Sequence, residues 1–454
     1  MRMLFTTKSL ITLFPTTQGK VDEPIEIHEV NTDSRIDTSN SLFIPLVGEN
    51  FDGHQFVMQA LEQGAVAVLW EKERTLPSSI PNDFPVFFVE DTLDALQKLA
   101  SYYREMVNPI VIGITGSNGK TTTKDLVASV VKSSFVTHYT NGNFNNHIGM
   151  PLTILSMERG TEVLILEMGM SGFGEIDLLS KIAKPDYAII TNIGESHIEF
   201  LGSREGIAKA KIEILNGLSK NGKVIIDGDE SLLQLLHNKT NTITCGFGDA
   251  NDLSIVECKV TAKETIFTLS DGETYKVPLF GKHHAKNASF AIAISDCLGI
   301  DVKKRQDALL SVQKTGMRFD LIKGMNGVTI INDAYNASPT SMKAAIEVVK
   351  EMEGFQEKVL VLGDVLELGD HAEYLHESVA DVIESPITAV FTLGEYAKLI
   401  TQSIERNNTI HSQHLTSKEE LLEVLMPYMR EDTLVLFKAS RRLKFETLIQ
   451  ELIN

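Results

Sequence analysis

The sequence predicts an α/β protein of three domains, and three observations carry that prediction. Its 454 residues exceed what one hydrophobic core organises, since cores stop growing near ~250 to 300 residues. Short apolar strands alternate with helix-length segments along most of the chain. One of those strands, over 110–115, runs into a glycine-rich turn and then a helix, the arrangement that cradles phosphate.

Residues 1–107 alternate β-rich runs, SLFIPLVG (41–48) and AVAVLWE (65–71), with helical segments, which predicts a small α/β domain. The helical DTLDALQKLASYYREM ends before Asn108-Pro109, a step that disfavours a continuing helix and sets the first boundary. Over 108–313 the strands IVIGITG, VLILEMG, YAIITNIG and KVIIDGD are nearly continuous apolar runs, as expected of a parallel sheet covered on both faces. Residues 245–280 read as an antiparallel appendage with a turn at Asp271-Gly272. A third, Rossmann-like α/β unit over 314–454 carries GVTIINDAY, KVLVLGD, ITAVFTLG and DTLVLFKAS, and the carboxyl ends of such strands are where open α/β sheets bind ligands.

Composition narrows the partners. Hydrophobic residues at 43% and charged residues at 23% leave no tract too polar to fold. A formal charge of −19 repels nucleic acid, so an anionic small molecule would be held only by a few placed Arg, Lys and backbone N–H groups. The opening MRMLFTTKSLITLFP is broken by Lys8 and by threonines and leads to no small-residue cleavage site, so it is not expected to target the chain. No stretch approaches the ~18 apolar residues of a membrane span. Cys245, Cys258 and Cys297 match neither a metal knuckle nor a redox pair. A cytoplasmic protein is expected, and nothing argues against a monomer.

The strongest local signal is Gly116-Ser117-Asn118-Gly119-Lys120-Thr121-Thr122 after the strand over 110–115. Glycines let backbone N–H groups approach phosphate oxygens, and the helix start adds partial positive charge. Lys120 would reach the outer phosphates and the Thr121 hydroxyl would ligate Mg2+. Glycine at 113 and 116, with Ile114 between, specifies the shorter Gly-x-x-Gly-Lys-Thr form of the loop. Glu167 closes the strand VLILEMG, the usual place for a Mg2+ carboxylate, and His197 follows the strand YAIITNIG. Glu167 alone reads equally well as an exposed strand-end carboxylate, and a lone histidine such as His197 is more often a polar surface or capped residue.

Taken together, these segments resemble the Mur ligase family over essentially the whole chain. The resemblance makes TGSNGKTTTKDL the ATP loop, Glu167 a Mg2+ carboxylate and His197 a metal-binding histidine. It makes Lys211, in AKAKIEI, the site of a carbamate formed with CO2, with Lys209 the alternative one register away. Asn287, in the segment beginning Gly281-Lys282-His283, would contact adenine. Asp33-Ser34-Arg35 and the run after it resemble the domain that holds the UDP part of a sugar-peptide substrate. GNFNNHIGMP, with Asn143, Asn145 and Asn146, resembles a second substrate-contacting segment. In the third unit Arg318 and Asp333 would meet nucleotide when that domain closes. INDAYNASPTSM, with Asn336 and Ser338, and GDVLELG resemble the family member whose amine substrate is D-alanyl-D-alanine. FKASRRLKFE departs from the family's more common Lys-Gly-Ser-Arg at Ala439.

The implied activity is ATP-dependent joining of UDP-MurNAc-tripeptide to D-alanyl-D-alanine through an acyl phosphate. Two Mg2+ ions would take part, with Lys120, Lys211, His197 and Arg318 as catalytic groups. A folylpolyglutamate synthetase would lack a counterpart of the first ~107 residues. A scaffold that had lost catalysis would be expected to lack Lys120, Glu167, His197 or Lys211, and all four are present.

Overall fold

The computed structural model describes the chain apart from residues 1–2, 238, 240, 262, 314, 408–409 and 454. Lys314, where the sequence reading opens the third unit, therefore lies outside the described residues.

Three main sheets follow one another along the chain. The first has five strands, with Ala65–Glu71 between Val86–Val89 and Ser41–Phe43, both parallel to it. Trp70, Phe43 and Val68 are buried in a small core of this sheet's own. Asp91 caps the following helix, Thr92–Val107, by accepting from the Asp94 N–H at 2.8 Å. That helix also ties this unit to the next, because Tyr103 donates its hydroxyl to the Met157 carbonyl at 3.0 Å. It stops at Asn108, which takes the left-handed conformation at φ 51° just before Pro109.

The central sheet has nine strands. Its heart is β1 (Ile110–Thr115), flanked in parallel by β2 (Val163–Glu167) and β3 (Tyr187–Ile190). Their interior residues are almost all fully buried, as near-continuous apolar strands require. Helices α1 (Lys120–Lys132), α2 (Arg204–Ile212) and α3 (Lys282–Cys297) pack around it. The antiparallel region differs in one respect from the sequence reading. Cys245 belongs to the last parallel strand, Thr242–Gly246, and the antiparallel strands begin at Leu253. They continue the same sheet, because Leu253 and Ser254 pair in parallel with Cys245 and Gly246.

The third sheet has six strands, parallel except for the edge strand Asp320–Lys323. Within it β4 (Thr329–Asn332) and β5 (Glu357–Gly363) both pair with β6 (Thr433–Lys438). Helix α4 (Pro339–Glu351), which follows β4, starts with Pro339 at its first position. Ser338 and Ser341 exchange hydrogen bonds in a capping box there. Segments just past the carboxyl ends of β1, β2 and β3 line a cleft of about 780 Å3, and segments past β4 and β6 line it from the other side.

Candidate active site

The phosphate loop is shaped by what it touches. At Gly116, φ is 151°, and a Cβ would lie 1.8 Å from the Thr191 hydroxyl, so only glycine fits. Thr191 and Asn192, at the end of β3, hold the loop from beneath. They donate to the Asn118 carbonyl at 2.6 and 2.9 Å, and the Asn192 side-chain oxygen accepts from the Asn118 N–H at 2.9 Å. Lys120 opens α1 and folds back to donate to the Gly116 and Ser117 carbonyls at 2.7 and 3.3 Å. Burial holds its pKa below the ordinary lysine value; the Arg318 charge pushes the same way and Glu167 opposes.

Thr121 and Glu167 meet as their positions predict. The Thr121 hydroxyl donates to one Glu167 oxygen at 2.8 Å and the Asn145 amide to the other at 2.9 Å, with Thr121 and Glu167 both 2% exposed. Lys211 is 2% exposed and does not line the cleft, and its ammonium has no hydrogen-bond or ion-pair partner among the described residues. Burial drives its pKa well below 10.5, and the Lys120 charge adds to that. Lys209 is exposed, with its ammonium over the Phe173 ring at 5.8 Å, so of the two lysines Lys211 faces inward. Two neighbouring cations with so little compensation form a site short of negative charge.

The third domain completes the cleft. Arg318 lies over the Tyr335 ring at 4.3 Å, and its Nε is buried with no hydrogen-bond partner among the described residues. Asp333, just past β4, accepts from Lys438 at the end of β6 at 2.5 Å and from the Phe319 N–H at 3.2 Å. Ser338 donates to the Asn118 side chain at 3.0 Å, and the Thr340 hydroxyl reaches both Glu195 oxygens at 2.9 and 2.6 Å. His197, at φ 65°, pairs through Nδ1 with Glu367, itself at φ 63°, in the GDVLELG segment. Asn287 stands over the loop, where a Cβ at Gly119 would lie 2.9 Å from its side-chain oxygen.

Ser117, Asn118, Gly119, Thr122, Asn143 and Asn336 line the same cleft. Asn146 lines it too, although its side-chain oxygen caps the helix over 149–156 by accepting from Ile148 and Gly149 at 3.1 and 2.8 Å. Ser34 and Arg35 are not brought there. Ser34 donates to Gln59 at 2.9 Å and Arg35 pairs with Asp33 at 2.7 Å, both within the first unit. Ser440 accepts from the Leu366 N–H at 2.9 Å, and Arg441 pairs with Glu446 at 3.0 Å.

Lys438, Glu195 and Glu367 were not singled out from sequence. A charged residue ending a buried strand was the available signal for Lys438. Its side chain is 4% exposed and that of Asp333 is 17% exposed, so removing one partner strands the other's charge. Lys438→Met is expected to destabilise the third domain by about 3 kcal/mol, read as a lower urea midpoint. An unchanged midpoint would show that the pair is solvated and contributes little.

Comparison with known proteins agrees with this architecture. The Mur ligase catalytic domain matches residues 26–104, the Mur ligase middle domain 114–295, and the Mur ligase glutamate ligase domain 317–441. The UDP-N-acetylmuramoyl-tripeptide--D-alanyl-D-alanine ligase of Bacillus subtilis (strain 168) is 48% identical over 435 residues, covering 95% of this chain and 94% of that protein. A crystal structure of MurF from Acinetobacter baumannii superposes with a TM-score of 0.89 at 30% identity, over 99% of this chain and 98% of that one. MurF ligase from Thermotoga maritima in complex with ADP gives 0.81 at 29% identity, over 93% and 96%. With all three domains matched in order and a relative aligned along nearly its whole length, the chain belongs to the Mur ligase family.

Proposed function

We propose that this chain is an ATP-dependent, ADP-forming ligase that adds D-alanyl-D-alanine to UDP-N-acetylmuramoyl-tripeptide in peptidoglycan precursor synthesis. One observation carries the reading: the third domain's INDAYNASPTSM segment is seated against the phosphate loop, through Ser338 and Asn118, so an amine held there would meet a newly phosphorylated carboxylate.

A carboxylate does not acylate an amine at neutral pH, because oxide is a poor leaving group. Transfer of the ATP γ-phosphoryl group to the tripeptide carboxylate supplies a better one. Two anions must meet in that step, so charge neutralisation comes first. Lys120 would swing from the Gly116 and Ser117 carbonyls onto the outer phosphates, and Arg318, whose Nε lacks a partner, would meet them from the third domain. The residues present fit Mg2+. Thr121 and Glu167 offer two oxygens 2.8 Å apart, and among the described residues no three His, Cys, Asp or Glu side chains converge. A hard cation that keeps its waters and shares phosphate oxygens needs no more from the protein. When bound, Mg2+ would screen the phosphates; His197 and a carbamylated Lys211 would hold a second ion.

Asn287 would contact adenine, with Asp333 near the nucleotide. Residues 1–107 would bind the UDP moiety through Ser34 and Arg35. Residues 108–313 would bind ATP, and 314–454 would select the amine through Asn336 and Ser338. Asn143, Asn145 and Asn146 would border the sugar-peptide. No helix among the described residues is long and apolar enough to cross a membrane. Because ATP and a UDP-linked substrate would be its reactants, we propose that the enzyme acts in the cytoplasm, as a monomer.

Phosphate release from purified protein should require both UDP-MurNAc-tripeptide and D-alanyl-D-alanine. Single amino acids, including glutamate, lysine and diaminopimelate, should support less than about a hundredth of that rate, because unfilled polar contacts discriminate more strongly than a missing methyl group. Preference for glutamate or lysine as the amine would leave the family intact and overturn the member.

A further inference from the structure

Most of the lysines and arginines that line the cleft are already engaged. Lys286 pairs with Asp227 at 2.8 Å, Arg204 with Glu230 at 3.0 Å and Lys438 with Asp333 at 2.5 Å, while Lys120 donates to the loop carbonyls. Arg318 is different. Its guanidinium has neither a hydrogen bond nor an ion pair among the described residues, and it lies against the face of Tyr335, 4.3 Å from the ring centroid.

A cation meant for phosphate faces two conflicting demands. A carboxylate beside it would fix its position but neutralise it and occupy its N–H groups. With no partner at all, the long side chain would lose its rotamer freedom only when phosphate arrived, at a cost to binding. An aromatic face meets both demands, because its π electrons attract the guanidinium without cancelling its charge and leave N–H donors for phosphate oxygens. The backbone serves the same contact. Met317 and Phe319, on either side of Arg318, are both left-handed at φ 61° and 55°, a conformation that residues other than glycine keep only where their surroundings impose it. Here Asp320 accepts from the Met317 N–H, Asp333 accepts from the Phe319 N–H at 3.2 Å, and the Met317 carbonyl accepts from the Tyr335 N–H at 3.3 Å. The last of these bonds ties the segment that carries Arg318 to the residue that supplies the ring. Arg441 approaches the same ring only to 6.0 Å and is paired with Glu446 at 3.0 Å.

We propose that Tyr335 is the positioning residue of Arg318: its ring face holds the guanidinium, still charged and free of a carboxylate, where it meets the transferring phosphoryl group. This rests on the ligase reading above. Two accounts compete with it. Tyr335 itself lines the cleft, so its hydroxyl could act on a reactant directly; or the ring could be packing alone, which predicts a lower melting temperature and no dependence on Arg318.

The test uses the full chain with ATP, UDP-MurNAc-tripeptide and D-alanyl-D-alanine. Tyr335→Leu should lower kcat about 10- to 30-fold and leave KM for either acceptor within about twofold of wild type. Tyr335→Phe, which keeps the face and loses only the hydroxyl, should hold kcat within about threefold. In an Arg318→Ala background the Tyr335→Leu change should cost less than about twofold, because a ring that acts only through Arg318 has nothing left to hold. Crystals of the unliganded variants supply an arm that needs no reaction: the guanidinium should stay over the ring in Tyr335→Phe and lose its fixed position in Tyr335→Leu. Full kcat in Tyr335→Leu, an equal loss in Tyr335→Phe, or a loss undiminished by removing Arg318 overturns the proposal. Should Tyr335→Leu fail to fold, Tyr335→Met, a flexible side chain without a π face, is read in its place. Wild-type enzyme that turns over neither acceptor would overturn the ligase reading instead, and the position of the guanidinium in the crystals would then decide the proposal.

Discussion

Lys120→Ala is expected to lower turnover by at least about 10^3-fold, while the unliganded protein melts no lower than wild type. A single charge aimed at developing negative charge in a water-poor cleft supplies roughly 3 to 4 kcal/mol of transition-state stabilisation, and the transferring phosphoryl group is more highly charged than most. The stability half follows from sign. Burial lowers the folded-state pKa of Lys120, so the unfolded chain binds that proton more readily than the fold does, and the cation opposes folding once pH falls below 10.5. Deleting it relieves that opposition, while two hydrogen bonds to loop carbonyls are lost against it. Steady-state kinetics beside a thermal melt decide the matter; more than a tenth of wild-type turnover would remove Lys120 from the mechanism.

Lys211→Ala should be comparably severe, and partly reversible by added short carboxylates. A buried ammonium next to Lys120 is the wrong charge for a site proposed to hold a metal cation, whereas a carbamate on the same nitrogen is an anion. Carbamate formation needs the neutral amine. Because burial and Lys120 set the pKa well below 10.5, the neutral fraction grows as pH rises through that lowered value, so CO2 capture is favoured from lower pH than for an exposed lysine. Wild-type activity should therefore fall in carefully degassed buffer and recover with bicarbonate. Indifference to both the mutation and CO2 would refute the modification.

How much of this could be read before the structure depends on distance along the chain. The phosphate loop was legible because its backbone demands a fixed run of residue types, and the Thr191 hydroxyl under Gly116 shows why one of them has no substitute. The buried strands were legible as apolar runs. The continuation of the central sheet beyond Thr242–Gly246 was not, because two residue pairs decide whether the next strand extends that sheet or starts another. Contacts between segments far apart in the chain were hidden for a similar reason. His197 meets Glu367, Asp125 accepts from the Thr315 N–H at 2.9 Å, and Asp333 meets Lys438; in each case docking or sheet order brings together residues that no local pattern links. Lys211 was chosen over Lys209 by resemblance, and the structure supplies the physical distinction: one is buried and the other lies on an exposed aromatic ring.

The pairing of the His197 turn with the segment around Glu367 also bears on inhibition. Beyond the side-chain contact, the Glu367 carbonyl accepts from the Glu199 N–H at 3.2 Å, and Gly369 packs so closely on Glu199 that a Cβ would lie 3.0 Å from its Cγ. A small molecule wedged into that seam would prop the third domain away from the loop without occupying the seat of any reactant. Such a wedge would not compete with ATP or either acceptor for a shared seat, and nucleotide would oppose it only to the extent that it favours the closed third domain.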